Sequence, residues 1–308
     1  MKAVRVHQYG PPGVLVEEEL PEPTPGEADV VLKVFASGVG PWDALLRTGA
    51  DRTFGELPLI PGSDVAGVIE EVGSGVTDLR KGDRVYGSTN PRFTGGYAEY
   101  CEAVARMLAP MPRTLDFVHA AAVPVVAVEA LQLLFEYGRL AAREKVLVHG
   151  AAGSVGSCVV QLAHQAGAIV IGTASGADMS RVRELGADLV IDYHAQRFED
   201  VATDVDLVVD LVGGETQTRS FSVLRSGGRL VSAISQPDAD EAARRGVLAS
   251  FFLAEVTRER LMSITERIDA GRLSIEVGEV LPLAEARHAH EMLDGAPHRR
   301  GKIVLRVA

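Results

Sequence analysis

The sequence predicts an α/β protein in which a β-rich region, folded as a partly closed barrel, precedes a doubly wound parallel sheet of the Rossmann type. Three observations carry that expectation. The first is the stretch Val146-Leu147-Val148-His149-Gly150-Ala151-Ala152-Gly153-Ser154-Val155-Gly156, where a short apolar run feeds a small-residue turn. The turn opens a helix-compatible segment from Ser157 to Gly167. This is the strand–turn–helix of a dinucleotide-binding unit, with Ala151 in the first glycine position of G-x-G-x-x-G. The second is the alternation of apolar strand-like runs with helical stretches from Lys145 to Ser232, the pattern of a parallel sheet covered on both faces. The third is a set of short β-prone runs broken by Gly and Pro before residue 115, a density of breakers that suits sharp barrel corners.

The elements follow in order. Met1-Lys2-Ala3-Val4-Arg5-Val6 reads as a strand and not as a signal peptide. Val30–Ala36, Val65–Val72 and Asp83–Gly87 are the next β-prone runs, set between Pro23, Pro25-Gly26, Pro61-Gly62, Gly73, Gly75 and Lys81-Gly82-Asp83. From about Leu115 the composition shifts, and the Ala- and Val-rich stretch His119–Leu134 predicts a buried helix. Strands are expected at Lys145–Val148, Ala168–Thr173, Leu189–Asp192, Val205–Asp210 and Arg229–Ser232, with helices including Ser180–Leu185 and Thr216–Leu224 between them. Beyond about residue 266 helix and strand return, ending in Gly301–Val307. A final strand of this kind pairs back with the first domain, which places residues 1–122 and 266–308 in one domain and 123–265 in the other.

Composition narrows the function. At 308 residues the chain has room for about two domains and a large core. A net charge of −11 argues against a nucleic-acid partner, whose phosphates demand clustered Lys and Arg. Cys101 and Cys158 supply neither a disulfide framework nor a four-Cys zinc site, and fit a reducing, cytoplasmic setting. No run of about 18 apolar residues predicts a membrane span.

The nucleotide is read at the end of the second strand of the unit. NAD sites carry Asp or Glu there, about 20 residues past the glycines, to hold the ribose hydroxyls. Here that position reads Gly172-Thr173-Ala174-Ser175-Gly176. Ser175 is able to donate to a 2′-phosphate, and Arg181 and Arg183 add charge downstream, with Asp178 working against them. The expectation is NADPH. A helix N-cap role for Ser175 and a solvated helix face for Arg181 remain the plainer alternatives.

Taken together, these residues resemble the medium-chain dehydrogenase/reductase superfamily in its zinc-free quinone oxidoreductase (zeta-crystallin-like) branch. The resemblance runs end to end. It includes Pro41-x-Asp43-x-x-x-Arg47-x-Gly49, Pro58–Ile69, Gly82-Asp83-Arg84-Val85, Gly95–Tyr100 and Ala120–Pro124. It continues through Leu147–Gln161, Leu185-Gly186-Ala187-Asp188, Ile191-Asp192-Tyr193, Val212-Gly213-Gly214, Gly227-Gly228-Arg229 and Gly301–Leu305. It implies a GroES-like barrel domain beside the Rossmann domain. By position, Gly153, Ser154, Val155 and Gly156 would meet the pyrophosphate of the coenzyme. Thr173, Ser175 and Tyr193 would lie near the adenosine phosphate. Leu211, Val212, Ala233, Ile234, Phe251 and Phe252 would approach the nicotinamide half; core packing is the plainer reading of Tyr193 and the Phe pair. The resemblance also implies a homodimer, joined through an edge strand near Leu248–Val256.

Zinc enzymes of this superfamily ligate the metal with Cys, His and Cys or a carboxylate. Here Gly38-Val39-Gly40-Pro41-Trp42-Asp43 stands where the first Cys would fall, Pro61-Gly62-Ser63-Asp64 has no His, and no Cys-rich lobe is present. Three protein ligands are not assembled from these positions, so a metal-independent reductase is expected. Such an enzyme favours acceptors that are already electrophilic: quinones and α,β-unsaturated carbonyls. Trp42, Arg47, Phe93 and Thr94 are candidate pocket residues, with barrel packing or a surface ion pair as alternatives. Three positions depart from the branch: Gly40 replaces an Asn, Glu129 replaces a Thr that faces the nicotinamide, and Ala50-Asp51 replaces a Tyr. A desolvated Glu129 would serve as proton donor to an enolate, whereas a Glu turned away would form a salt bridge or a cap. His149 is expected to be structural. Two further readings remain open from sequence: an enoyl-thioester reductase of a biosynthetic pathway, and a non-catalytic, crystallin-like NADPH-binding protein.

Overall fold

The computed structural model describes residues 1–50 and 56–308. The chain opens with β1 (Lys2–Val6) and β2 (Leu15–Glu19), followed by β3 (Asp29–Val39), α1 (Pro41–Thr48), β4 (Asp64–Val72), β5 (Arg84–Ser88), β6 (Tyr100–Val104) and β7 (Leu108–Pro110). Two helices, α2 (Phe117–Ala121) and α3 (Pro124–Leu131), come next, the second running on into a π-helical turn at Gln132–Tyr137. Then follow β8 (Lys145–Val148), α4 (Ser154–Gln165), β9 (Ile169–Ala174), α5 (Met179–Glu184), β10 (Leu189–Asp192), β11 (Val205–Asp210), α6 (Gly214–Ser220), β12 (Leu224–Ser232), α7 (Ala239–Arg245) and β13 (Leu248–Phe251). The last elements are α8 (Arg258–Asp269), β14 (Val277–Pro282), α9 (Ala286–Leu293) and β15 (Lys302–Arg306). Two compact units result: Met1–Val125 with Glu255–Ala308, and Val126–Ala254.

In the first unit the sheet runs β14-β15-β3-β4-β5-β7, with β6 pairing to β3 and the β1–β2 hairpin attached by bridges at Ala3–Ala98 and Val6–Leu59. The apolar run of β3 is buried along nearly its whole length because β4, β6 and β15 flank it and a core of Val30, Leu32, Val34, Ile69 and Val85 fills one face. The C-terminal strand β15 pairs antiparallel with β3, so this unit is closed by the end of the chain. The return begins at Glu255, ahead of residue 266, because α8 belongs here. Arg258 on α8 donates to the carbonyls of Leu108 and Ala105, and Tyr86 Oη donates to Leu261 O at 2.8 Å.

A chain of buried polar groups ties this unit together. Arg47 Nε donates to His290 Nδ1 (3.1 Å), His290 Nε2 meets Tyr97 Oη (3.2 Å), and Tyr97 Oη donates to Asp43 Oδ2 (3.2 Å). Asp43 also receives the N–H groups of Gly40 (2.8 Å) and Gly62 (3.1 Å). Because Arg47 only donates, Nδ1 must accept and the imidazole proton sits on Nε2. A second proton on His290 would point at the guanidinium.

In the second unit all six strands are parallel, in the order β10-β9-β8-β11-β12-β13. The order reverses direction between β8 and β11, which marks the crevice at the carboxyl ends of those strands as the ligand end of the sheet. Leu147, Ile171, Val208, Phe221 and Leu230 pack one face. Two expected helices differ. The stretch 119–134 breaks in two because Pro124 has no N–H and the N–H of Val125 is taken by Asp64 Oδ1 at 3.0 Å. The helix expected to reach Leu224 stops at Ser220, where Ser220 Oγ and Ser222 Oγ bond back to the carbonyls of Thr216 and Arg219 and Val205 N takes Val223 O.

Two histidines give the fold an acid-sensitive limb. Burial, reinforced by Arg47, holds His290 down to about 3, and burial holds His149 down to about 4, both from 6.5. Each folded-state value is depressed for a base, so their contributions are complete above pH 6.5 and are lost as pH falls from there toward 4. Asp43, pushed up to about 7 by burial, runs the other way and offsets part of this. Thermal melts between pH 7 and 4 are expected to show a shallower acid decline in His290→Gln than in the parent.

Candidate active site

The glycine turn is built by close approach. Gly150 holds φ at +72°, and a Cβ on Gly156 would stand 2.1 Å from Gly150 O, so the first turn of α4 presses on the end of β8. Gly153 is different. It is exposed, lies in extended backbone at the N-cap of α4, and a Cβ there would meet only Gly150 O at 3.4 Å. Ser154 and Val155 follow half-buried. The space beside Gly153, at the N-terminus of a 12-residue helix with first-turn N–H groups and a partial positive charge, fits a pyrophosphate.

Next to this turn lies a cavity of about 890 Å³ lined by His149, Gly150, Thr173, Tyr193, Val212 and Arg219, with His194, Gln196 and Arg197. Three of the expected coenzyme residues, Thr173, Tyr193 and Val212, therefore share one wall system. Tyr193 is 57% exposed, with its ring packed against that of His194 at 4.3 Å between centres. His149 is buried between Thr173 Oγ1 (3.2 Å) and Ser220 Oγ (3.0 Å). Ser220 spends its proton on Thr216 O, so it accepts from His149 and fixes a neutral imidazole. The residue orders the wall and is not a base.

The loops after β11 and β12 share one anchor, Asp210. Its Oδ1 accepts from the N–H groups of Val212 (3.1 Å) and Gly213 (2.9 Å), and its Oδ2 from Gln217 Nε2 (2.9 Å) and Ser232 Oγ (2.8 Å). Ser232 Oγ in turn accepts from Ile234 N at 3.1 Å. This leaves Val212 and Ile234 each 51% exposed, beside half-buried Leu211 and Ala233. Phe251 is half-buried in β13 opposite Ser232. Phe252 corrects the expectation: it is 6% exposed and stacks on Tyr137 with ring centres 4.1 Å apart, so it is core. Glu129 sits half-buried on α3.

Two charged-site expectations change at the strand end. The proton of Ser175 Oγ is given to Asp178 Oδ2 at 2.6 Å, so Ser175 is not the phosphate donor expected of it. Arg181 reaches toward Glu184 at 3.9 Å on an exposed helix face.

In the first unit Trp42 and Phe93 come together, ring centres 6.3 Å apart and tilted by 60°. Trp42 Nε1 donates to Ser63 Oγ (3.0 Å), and Lys302 Nζ lies 4.3 Å from the indole centre. Phe93 holds φ at +57°, a costly conformation for an aromatic residue, while Thr94 O anchors the turn by accepting from Thr89 Oγ1 and Asn90 Nδ2. Arg47 does not belong to a pocket: it is 1% exposed, and its Nη2 holds both oxygens of Asp294 at 2.8 Å. Asp51 lies outside the described residues. The residues overlooked in the sequence are the buried pair Lys302 Nζ–Asp64 Oδ2 (3.1 Å) and Asp210. Their signal was a charge inside an apolar strand pattern. Neither Asp43 nor Asp64 fits a metal, since their oxygens are committed to N–H, O–H and ammonium donors; among the described residues no group of three or more His, Cys, Asp or Glu assembles.

Residues 26–113 match the family model described as an alcohol dehydrogenase GroES-like domain, and residues 185–305 match one described as a zinc-binding dehydrogenase. The chain is 32% identical to a quinone oxidoreductase of Rattus norvegicus, over 99% of this chain and 97% of that protein. The chain belongs to the quinone oxidoreductase branch of the medium-chain dehydrogenase/reductase superfamily. Within that branch it is also 33% identical to an NADPH-dependent alkenal/one oxidoreductase of Arabidopsis thaliana, over 99% of this chain and 79% of that protein. Its fold matches an Escherichia coli quinone oxidoreductase complexed with NADPH at a TM-score of 0.89 and 26% identity, covering 99% and 100% of the two chains. The fold is thus a Rossmann-type sheet plus a GroES-like domain, as the family resemblance implies.

Two outcomes follow from the geometry. Gly153→Ala is expected to leave the melting temperature unchanged while weakening dinucleotide binding by about tenfold or more, whereas Gly156→Ala destabilises the fold itself; calorimetric titration beside thermal melts separates the two. Asp64→Asn strands the buried ammonium of Lys302 and is expected to cost about 3–5 kcal/mol in chemical denaturation, most of which a double variant Asp64→Asn, Lys302→Met regains, since the Asn Oδ1 still accepts from Val125 N.

Proposed function

We propose that this chain is an NADPH-dependent reductase of quinones or α,β-unsaturated carbonyls. The observation that carries the reading is the open cradle at Gly153 on a chain similar over nearly its full length to quinone and alkenal/one oxidoreductases. The coenzyme, when bound, supplies a hydride. Gly153, Ser154, Val155 and Gly156 hold its pyrophosphate, Thr173 and Tyr193 its adenosine half, and Leu211, Val212, Ala233, Ile234 and Phe251 the nicotinamide half.

The reaction proceeds without a metal: residues 38–43 offer no Cys and residues 61–64 no His where zinc relatives ligate, and the nearby carboxylates of Asp43 and Asp64 are engaged. Without a Lewis acid the acceptor must be intrinsically electron-poor, and the protein contributes orientation, exclusion of water and hydrogen bonding to the developing oxyanion. Trp42 and Phe93 receive a flat acceptor. Glu129 protonates the enolate. The protein works as a homodimer through the edge strand β13, on which Leu248 is 66% exposed, with Leu253, 64% exposed, just beyond it. Its two cysteines, Cys101 and Cys158, buried and outside any disulfide, suit the reducing cytoplasm.

Purified protein is expected to oxidise NADPH with 1,4-benzoquinone and with 2-alkenals. Tight NADPH binding with no turnover on either acceptor defeats the reading. Glu129→Gln should lower kcat with enones and flatten its pH profile; an unchanged profile removes Glu129 as the donor.

A further inference from the structure

We propose that Gly40 is a positioning residue for the acceptor: by carrying no side chain it seats the indole of Trp42, and the aromatic wall so formed selects flat, aryl-bearing acceptors over straight-chain ones. The inference rests on the reductase reading and concerns only the acceptor side, within the first unit.

Gly40 is not required by its backbone. Its φ of −136° and ψ of 165° are extended values that any residue adopts. Nor is it the best start for a helix. It is the N-cap of α1 and makes no side-chain cap, where Ser, Asp or Asn would accept an N–H of the first turn. What excludes a side chain is the ring of Trp42. A Cβ on Gly40 would stand 2.5 Å from both Cε2 and Cη2 of the indole, and closer still to Cζ2 between them. A point so close to all three atoms lies over the face of the ring and not beyond its rim. The benzo half of the indole therefore lies flat on the backbone at Gly40.

The turn does not yield to that overlap. Asp43 Oδ2 holds Gly40 N at 2.8 Å and Asp43 Oδ1 holds Gly62 N at 3.1 Å, and Asp43 is fully buried. The indole has its own seat: Nε1 donates to Ser63 Oγ at 3.0 Å, and the buried Lys302 sets its Nζ 4.3 Å from the ring centre. The ring is thus placed by its N–H, by a cation and by the bare backbone of Gly40. Half-buried, it meets Phe93 at 6.3 Å, and the two rings offer the acceptor one aromatic wall. A flat, electron-poor ring gains stacking there beyond the area it buries, whereas an alkyl chain gains area alone. A methyl at position 40 would push the ring off its seat, since the ring is the far end of a side chain and the turn is pinned at both oxygens of Asp43.

Two enones of equal carbon count and the same reacting group, benzylideneacetone and 3-decen-2-one, test this through their KM values at saturating NADPH. The parent should show the lower KM for benzylideneacetone, by about fivefold. Gly40→Ala should raise that KM by about fivefold or more, with the KM for 3-decen-2-one and the Kd for NADPH little changed. The indole N–H resonance of Trp42 should shift in heteronuclear NMR spectra of the same variant. With Trp42→Leu in place, Gly40→Ala should add nothing further to either KM. Should Gly40→Ala fail to fold alone, folding of the double variant upholds the clash and its failure overturns it. Equal KM values for the two enones in the parent, an unchanged benzylideneacetone KM in Gly40→Ala, or the same added cost in both backgrounds overturns the proposal alone. Absence of turnover on both enones and on 1,4-benzoquinone overturns the reductase reading with it.

Discussion

The contact on which the second unit depends is between two backbones: α4 begins against the carbonyl of Gly150, at a distance that leaves no room for a side chain at Gly156. This approach sets where the helix starts, and the start of the helix sets where its free N–H groups point. The strand order reverses beside the same strand, β8, so the turn, the loop after β11 and the wall at Thr173 converge on one end of the sheet. His149 and Asp210 hold the walls on either side. Both are buried polar groups with their hydrogen-bonding needs met, a combination that makes a wall rigid.

Most of the architecture was legible in the residues because its signals are periodic and local. Apolar runs such as Val205–Asp210 became parallel strands, and the small-residue turn at Gly150–Gly156 became the strand-to-helix corner. The misplaced boundaries have local causes: a proline with a carboxylate capping the next N–H at Val125, and serines bonding back to the helix at Ser220. Side-chain roles were less legible, because they depend on partners distant in sequence. Arg47 looked like a pocket residue until its partners His290 and Asp294 came from the far end of the chain. Ser175 looked like a donor until Asp178, three residues on, took its proton. Lys302 and Asp64 each stood out as a charge in an apolar strand pattern, but their pairing joins positions 238 residues apart, which no local pattern announces.

The two units spend buried polarity differently. In the second, neutral or singly charged groups organise loops around a ligand end. In the first, a continuous path from Asp294 through Arg47, His290 and Tyr97 to Asp43 links α9, α1 and the turns at Gly40 and Gly62. Replacing such groups with well-packed apolar ones is often neutral or stabilising. Their use here fits a demand for one arrangement of α1, the helix that carries Trp42, over alternatives of similar compactness.

The setting of Trp42 has a spectroscopic consequence. It is the sole tryptophan of the chain, with a cation against its ring and its N–H held by Ser63. Emission excited selectively from indole therefore arises from a single spot, half-buried and beside Phe93. Any electron-poor aromatic compound that settles there would darken that light, giving the protein a native optical gauge of occupancy that requires no label.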